Sequence, residues 1–265
     1  MRRFLSLYAS AAYAFLYVPL LVLGAFSFNA SRIAVWHAFT WEWYRSVFRN
    51  EALAAGAVNS LLIAFGATVV STLIGTAGAY AMWKRRSSWL TNSLYLSLIT
   101  PEIVTGVSLL AFFQFLFRYL NVQLGMTTVI LAHISFSLAY VVVVVMARLR
   151  TFDKTLEEAA LDLGANDWQV FRYITWPMLM PAIAAAALLC FTVSFDDYVI
   201  TSLVAGVNSE TLPMIIYAMA RRGVNPDVNA LSVMITVGLG VLIIAAGRLE
   251  QSFSDSAVSR PAGRV

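Results

Sequence analysis

The sequence is poor in charged residues and in the side-chain groupings that enzymes use for covalent or metal chemistry. Only 12% of its 265 residues are Asp, Glu, Lys or Arg, about half the share typical of soluble globular proteins. A single cysteine, Cys190, excludes an intramolecular disulfide and a cysteine-rich metal cluster. The sequence contains no glycine-rich phosphate loop, no paired Cys/His metal spacing and no serine nucleophile motif. We therefore predict that the chain is not an enzyme and needs no cofactor.

Apolar residues dominate the sequence. They make up 60% of the chain, and the mean hydropathy is +0.76. Six stretches approach or exceed the roughly 20 residues that a helix needs to cross a bilayer. They are 8–28, 58–82, 93–117, 126–146, 178–199 and 229–247. Because lipid offers the backbone no hydrogen-bond partner, each stretch must be helical. The sequence predicts an all-α membrane protein with six transmembrane helices.

The N-terminal end of the chain is predicted to be a membrane helix, and the C-terminal end a disordered tail. Arg2 and Arg3 precede the first stretch, as in a secretory signal peptide. That stretch is longer than a signal core of about 7–15 residues, and no clear small-residue cleavage site follows it. It is therefore interpreted as a retained helix. We predict a membrane domain over 1–250 and a polar, disordered tail over 251–265.

The basic residues predict the orientation in the membrane. With the N-terminus in the cytoplasm, twelve of the 18 Lys and Arg residues fall on cytoplasmic segments and six fall outside. Basic residues are enriched on the cytoplasmic side of membrane proteins. Lys84, Arg85 and Arg86 directly follow the second stretch and give the clearest signal. Both termini are therefore predicted to be cytoplasmic. These flanks also account for most of the net charge of +4, so no nucleic-acid partner is expected.

The polar segment 151–177 separates the fourth and fifth apolar stretches and is predicted to face the cytoplasm. Thr155 and Glu158 have the spacing of a capping box, which predicts a helix beginning at Leu156. Gly164 can end that helix by adopting the left-handed conformation that other residues avoid.

A second short helix is predicted after this turn. Asn166 or Asp167 can cap it, and it would run toward Pro177. The resulting helix–turn–helix would project from the membrane with three acidic residues available for docking. These are Glu157, Glu158 and Asp162. A solvated linker is an equally compatible interpretation of the same residues.

Four ionisable residues fall inside the predicted spans, where charge is costly and function is therefore a reasonable hypothesis. They are Glu102, His133, Asp196 and Asp197. Pro101 removes a helix hydrogen bond and can kink the third span beside Glu102, near its middle. A protonated or hydrogen-bonded structural role is equally open for Glu102. For His133 an interhelical hydrogen bond is the favoured interpretation.

Asp196 and Asp197 lie near the outer end of the fifth span. Consecutive helical residues point about 100° apart, so one carboxylate is expected to face the pathway and the other a neighbouring helix. Phe195 and Tyr198 add aromatic faces that can hold an alkylammonium group. Carboxylates and aromatics without a basic residue favour a cationic solute. The alternative is a pair that simply emerges into water.

Two outer segments have features of their own. Trp36, Trp41, Trp43 and Tyr44 in the first outer loop are typical of an interfacial helix at headgroup depth. Contact with an external binding protein is the other interpretation. The last outer loop, 200–228, is predicted to form a short re-entrant or surface helix near the translocation path.

The segment 158–177 resembles the signature loop of permease subunits of ABC importers. That pattern is Glu-Ala-Ala, three residues, Gly, nine residues and Ile-x-Leu-Pro, with Trp176 in place of the Leu here. The matching residues are Glu158, Ala159, Ala160, Gly164, Ile174 and Pro177. The resemblance implies the type I importer permease fold and coupling helices that sit in a groove of a cytoplasmic ATPase. Glu157 is an additional candidate for that contact.

Other segments are similar to the second permease subunit of spermidine/putrescine importers. They are Thr100-Pro101-Glu102-Ile103-Val104-Thr105-Gly106, Ser194-Phe195-Asp196-Asp197-Tyr198, Leu212-Pro213-Met214, Ile216-Tyr217, Gly223-Val224-Asn225-Pro226 and Asn229-Ala230-Leu231. The resemblance implies an inner-membrane subunit with a related second permease, a homodimeric ATPase, a periplasmic solute-binding protein and a polyamine substrate. Permeases for other small organic solutes share much of this pattern.

Two further hypotheses come from other functional classes. A proton-coupled secondary transporter could use Glu102 and the Asp pair as a relay, but the six-span length and the Glu-Ala-Ala loop disfavour it. A signalling or scaffold protein would leave the loop and the carboxylates within the spans unexplained.

Overall fold

The part of the chain that the structure describes is almost entirely helical. The computed structural model describes residues 2–31, 35–85, 88–120, 123–222 and 226–258. The prediction of an all-α protein is confirmed. The helices are α1 (Arg2–Phe26), α2 (Glu42–Arg49), α3 (Glu51–Arg85), α4 (Ser88–Ile99), α5 (Glu102–Leu120), α6 (Met126–Arg150), α7 (Thr155–Asp162), α8 (Asp167–Val170), a π-helical turn (Phe171–Thr175), α9 (Trp176–Asp196), α10 (Val199–Val204), α11 (Leu212–Arg221) and α12 (Pro226–Val258).

Five helical segments among the described residues are long and apolar enough to cross a membrane. They are Phe4–Phe26, Glu51–Arg85, Glu102–Tyr119, Met126–Arg150 and Asp167–Asp196. Each overlaps one of the first five predicted spans. The sixth, 229–247, lies within α12, whose described apolar part is Pro226–Val241. The molecule is a multi-pass membrane protein.

The third predicted span is two helices. α4 ends at Ile99 and α5 begins at Glu102, with Thr100 and Pro101 between them. Proline has no N–H and disfavours a helical conformation in the residue before it, so the chain cannot continue as one helix. The hydroxyl of Thr100 donates to the carbonyl of Leu96 at 2.8 Å. The expected kink is therefore a full break, and it places Glu102 at the first position of a new helix.

The fifth predicted span ends earlier than expected. Asp196 is the last residue of α9, and Asp197 is extended, with φ −67° and ψ 126°. α10 then begins at Val199. The expectation that both aspartates belong to one continuous helix is wrong. The carboxylate of Asp197 caps the N-terminus of α10 instead, which requires the chain to leave the helical conformation there.

The C-terminal helix is longer than predicted. α12 continues to Val258, so residues 251–258, expected to be disordered, are helical. Residues 248–258 contain no Gly or Pro, and nothing in this stretch stops a helix. The rest of the predicted tail, 259–265, lies outside the described residues.

The chain divides into two compact units, with the divisions falling inside α3 and α11. One unit comprises Met1–Gly56 and Ile215–Val265. There the indole of Trp43, in α2, is buried and donates to the carbonyl of Asn29 at 2.7 Å. Phe28 is the centre of an aromatic group that includes Trp41 and Tyr44, at centroid distances of 4.8 and 5.1 Å. The aromatics of the first outer loop therefore pack on one another.

The other unit is Ala57–Met214 and contains both candidate sites. Its larger core joins α3, α6 and α9, and includes Ala79, Val145 and Leu179, which are buried. A second core joins α5, α6 and α10 through Phe113, Val129 and others. These two cores pack α3, α5, α9 and α10 against α6, and these helices carry several of the candidate functional residues.

Candidate functional site

The segment after α6 begins with a cap that the sequence motif did not predict. The Asp153 carboxylate accepts hydrogen bonds from the Thr155 N–H at 3.0 Å and the Thr155 hydroxyl at 2.8 Å. These bonds lower the pKa of the Asp153 carboxyl. The predicted capping box of Thr155 and Glu158 is wrong, because the Asp153 carboxylate accepts the Thr155 N–H that the Glu158 side chain would accept in that motif.

The turn after α7 is formed as predicted. Gly164 has φ +88°, in the region that side-chain-bearing residues rarely adopt. The N–H of Ala165 bonds to the carbonyl of Ala160 at 3.0 Å and so satisfies one of the free carbonyls at the helix end. No atom lies within 4 Å of the position that a Cβ would take at Gly164. The conformation, not crowding, therefore favours glycine here.

The second helix is capped by Asn166. Its side chain accepts from the N–H of Gln169 at 2.9 Å, and the Gln169 side chain accepts from the N–H of Asn166 at 2.8 Å. The predicted second short helix is therefore present as α8, Asp167–Val170. α8 continues through the π-helical turn into α9, so one helical segment runs over Asp167–Asp196. Pro177 lies inside this segment rather than at its end.

Glu157 and Glu158 are adjacent in α7 but face opposite environments. Glu158 is exposed, whereas Glu157 is 5% exposed. The Glu157 carboxylate binds Nζ of Lys84 at 2.7 Å and accepts a hydrogen bond from Oγ1 of Thr175 at 2.6 Å. Contrary to prediction, Glu157 is not available for docking. The sequence offered no signal for this, since Lys84 is 73 residues away in the chain.

Most of the remaining predicted coupling residues belong to the exposed surface of the segment 151–177. Ala159, Asp162, Gly164 and Pro177 are exposed, Ala160 is half-buried, and Ile174 packs against the larger core. Large apolar side chains extend this surface, and the sequence motif did not mark them. They are Leu163, which is 89% exposed, Trp168 and Tyr173. Exposed apolar groups beside carboxylates are typical of a protein-binding surface.

A cavity of about 410 Å³ lies where α4 and α5 break, against α6 and the junction of α9 and α10. This is within the usual size of a small-molecule site, roughly 300–1,000 Å³. Four of the five predicted pathway residues line it: Glu102, Asp196, Asp197 and Tyr198. Phe195 is not among the lining residues; its ring stacks on Phe191 at 6.0 Å. Gly106 lies where α5 approaches α10, since a Cβ there would lie 3.4 Å from the Cα of Ile200 and 2.6 Å from Cδ1 of Leu203.

The described lining of this cavity combines acidic and hydroxyl-bearing side chains with apolar ones such as Phe136 and Ile200. Hydroxyl groups come from Ser97, Thr100, Thr105, Tyr140 and Thr192, and no Lys or Arg is among the described lining residues. Within the described ranges there is also no group of three His, Cys, Asp or Glu side chains that could hold a metal ion. The two exposed carboxylates, Glu102 and Asp196, are therefore not balanced by a basic side chain among the described lining residues.

Asp197 is committed to a buried hydrogen-bond network. Its carboxylate accepts from the N–H and the hydroxyl of Thr201 at 2.8 and 2.7 Å, and lies 3.4 Å from Nε2 of His133. The His133 ring also contacts Oγ1 of Thr201 at 2.9 Å and Oγ of Ser194 at 2.6 Å. His133 thus links α6, α9 and α10, in agreement with the interhelical role favoured from the sequence.

Proteins of similar sequence are known. The chain is 40% identical to the spermidine/putrescine transport system permease protein PotC of Escherichia coli (strain K12) over 243 residues, which cover 90% of each protein. It is 39% identical to the PotC of Haemophilus influenzae over 88% of this chain and 91% of that one. It is also 40% identical to the putrescine transport system permease protein PotI of E. coli (strain K12), over 87% and 84%.

Solved structures share the fold. A bacterial alginate ABC transporter in complex with an alginate pentasaccharide-bound periplasmic protein contains a chain that matches with a TM-score of 0.75 at 16% identity, over 94% of this chain and 93% of that one. The MetNI methionine ABC transporter, in inward-facing conformations, matches with a TM-score of 0.60 at 17% identity, over 77% and 99%. The sequence model of binding-protein-dependent transport system inner membrane components matches residues 71–255. The chain belongs to this family of transporter permease subunits.

Proposed function

We propose that this chain is the permease subunit of an ATP-driven importer of polyamines such as spermidine and putrescine. The observation that carries the proposal is the acidic cavity, where Glu102 and Asp196 are both exposed and no basic residue is among the described lining. The relatives whose names specify spermidine and putrescine support the choice of solute.

The cavity chemistry suits a flexible molecule with several ammonium groups. Each ammonium can bind a carboxylate, and the attraction grows where water is partly excluded. Tyr198 and Tyr140 lie in the same lining and present aromatic faces to the methylene chain or to an ammonium. Hydroxyl groups along the wall can accept the remaining N–H donors. An anionic solute would find no matching charge there.

The segment 151–177 supplies the coupling. We assign its exposed surface, centred on Glu158, Leu163 and Gly164, to contact with a cytoplasmic ATPase. Closure of the ATPase dimer on ATP would move this segment, and the cavity would change between inward- and outward-facing states. The complete importer would contain a second related permease, two ATPase copies and a periplasmic solute-binding protein. Both termini of this chain would then be cytoplasmic, as the basic residues predict.

Reconstitution tests the proposal. The four kinds of subunit are placed in vesicles, and uptake of labelled spermidine and putrescine is measured with and without ATP. We expect uptake that requires ATP and the binding protein, with glutamate as the anionic control solute that is not carried. Uptake driven by a proton gradient without ATP would contradict the proposal and support a secondary transporter. ATP-dependent uptake of another solute alone would leave the importer class intact and reject the polyamine assignment.

A further inference from the structure

The end of α3 is joined to the coupling segment, residues 151–177, by a triad of Lys84, Glu157 and Thr175, in which Glu157 and Thr175 are buried and the Lys84 side chain is 46% exposed. Nζ of Lys84 lies 2.7 Å from one carboxylate oxygen of Glu157, and the Thr175 hydroxyl donates to the other at 2.6 Å. Glu157 is 5% exposed and Thr175 is fully buried. The triad therefore joins three elements: the end of α3, α7 and the π-helical turn.

Aromatic contacts enclose the same helix end. The Trp83 ring meets Phe152 edge-on at 5.7 Å, and Nζ of Lys154 lies 4.7 Å from the centre of that ring. On the other side, the ring of Tyr80 lies 5.2 Å from that of Phe171. Residues before α7 and after α8 thus both contact the last turn and a half of α3. A movement of the coupling segment cannot leave this helix end in place without breaking these contacts.

The chemistry of the triad indicates a role in geometry more than in net stability. The buried Glu157 carboxylate loses most of its hydration, whereas the half-exposed Lys84 ammonium keeps much of its own, and this cost offsets much of the attraction between the two charges. Loss of the Lys84 charge, however, leaves the Glu157 carboxylate buried and uncompensated. The pair therefore resists separation strongly while adding little to the free energy of folding. Thr175 sits in a π-helical turn, a feature frequent at functional sites.

We propose that Glu157 is a positioning residue that transmits displacement of the coupling segment to α3 through Lys84 and Thr175. This rests on the proposed function, in which the segment contacts an ATPase. Glu158 and Glu157 then have different roles. The exposed Glu158 carboxylate faces the partner protein, and the buried Glu157 carboxylate links α7 to α3. The α3 end is displaced with α7 as one body when the ATPase closes.

The test uses the complete importer in vesicles and measures spermidine taken up per ATP hydrolysed. Glu157→Gln and Lys84→Met each remove one charge with little change of shape. Lys84→Arg keeps the charge. The matched control is Arg85→Met, which removes a positive charge from the next, exposed residue of the same helix. Co-purification of the ATPase with the permease reports assembly.

We expect Glu157→Gln and Lys84→Met to lower uptake per ATP by about fivefold or more, the lower end of typical coupling between sites, with the ATPase still bound. The double variant should lose no more than the worse single variant, because both act on one link. Lys84→Arg and Arg85→Met should stay close to the wild-type ratio. An unchanged ratio in Glu157→Gln, or an equal loss in Arg85→Met, would overturn the proposal.

Two further measurements keep the outcome decisive. If the charge variants do not insert or assemble, Thr175→Val and Thr175→Ser replace them. Thr175→Val should lower the uptake per ATP and Thr175→Ser should restore it, and equal ratios would reject the triad.

If the wild-type complex carries no spermidine, the polyamine assignment fails separately. The same variants are then compared by how strongly the binding protein stimulates ATP hydrolysis. Weaker stimulation in the triad variants but not in Arg85→Met supports the link, and unchanged stimulation in the triad variants refutes it.

Discussion

Asp196 and Asp197 are consecutive in the sequence, but their carboxylates belong to different parts of the molecule. Asp196 ends α9 and is exposed in the acidic cavity. Asp197 also touches the cavity, yet its side chain is 7% exposed and is bonded to the start of α10 and to His133. A solute can therefore bind the Asp196 carboxylate without disturbing the fold. Contact with Asp197 would compete with bonds that hold three helices together.

Asp196→Asn should weaken transport without weakening the protein. A cation beside Asp196 would lose a charged partner, and we expect uptake at low spermidine concentration to fall by about tenfold or more, where tenfold corresponds to about 1.4 kcal/mol. Protein level and basal ATP hydrolysis should be unchanged. Asp196→Glu, which keeps the charge, is the control. Wild-type uptake by Asp196→Asn would remove this residue from the pathway.

Asp197→Ala should act chiefly on stability. It removes the acceptor of the Thr201 hydroxyl and N–H and leaves His133 without its carboxylate neighbour. Leaving buried polar groups unpaired costs about 1–3 kcal/mol. Thermal unfolding of the purified protein in detergent should therefore show a lower midpoint than for the wild type. The midpoint of Asp196→Asn should not change, and a fall of equal size in both variants would contradict the division of roles.

Glu158→Lys and Gly164→Leu should separate ATP hydrolysis from transport while membrane insertion continues. The first reverses a charge on the exposed surface of α7. The second forces a branched side chain into φ +88°, which is strained whatever the space around it. ATP hydrolysis stimulated by the binding protein and uptake are measured together. Normal values of both in both variants would reject the ATPase contact.

Reporter fusions should place the loops on the expected sides. A reporter at Ser87 or after Gly247 should be cytoplasmic, and one near Asn208 should be external, because twelve of the 18 basic residues lie on the side assigned to the cytoplasm. Accessibility of each reporter in intact cells gives the answer. An external reporter at Ser87 would reverse the topology and remove the coupling role with it.

Local signals in the sequence predicted local features well. Pro101 predicted the interruption in the third span, and Gly164 predicted the turn after α7, because each residue restricts its own backbone. Asn166 was one of two predicted caps and is the one that forms. The predicted capping box of Thr155 does not form, because Asp153, two residues earlier, accepts the Thr155 N–H.

Features set by distant residues could not be predicted. Glu157 and Glu158 are chemically identical, and only the position of Lys84 in the folded protein distinguishes the buried one. Similarly, the end of α9 depends on bonds from Asp197 to the backbone of α10 and to Thr201, which a helical periodicity does not reveal. Hydropathy identified the spans but gave no information on where their charged side chains would point.

The electrostatic potential in the cavity is asymmetric, because α5 begins at the break after α4 and α9 ends on the cavity wall. Glu102 is the first residue of α5, where unpaired N–H groups carry a partial positive charge of about half an elementary charge. Asp196 is the last residue of α9, where free carbonyls carry a partial negative charge of similar size. The helix end offsets part of the charge of Glu102 and adds to that of Asp196. Two carboxylates of equal formal charge therefore attract a cation unequally. A solute with an ammonium group at each end is bound more strongly by Asp196, at the end of α9, than by Glu102, at the start of α5.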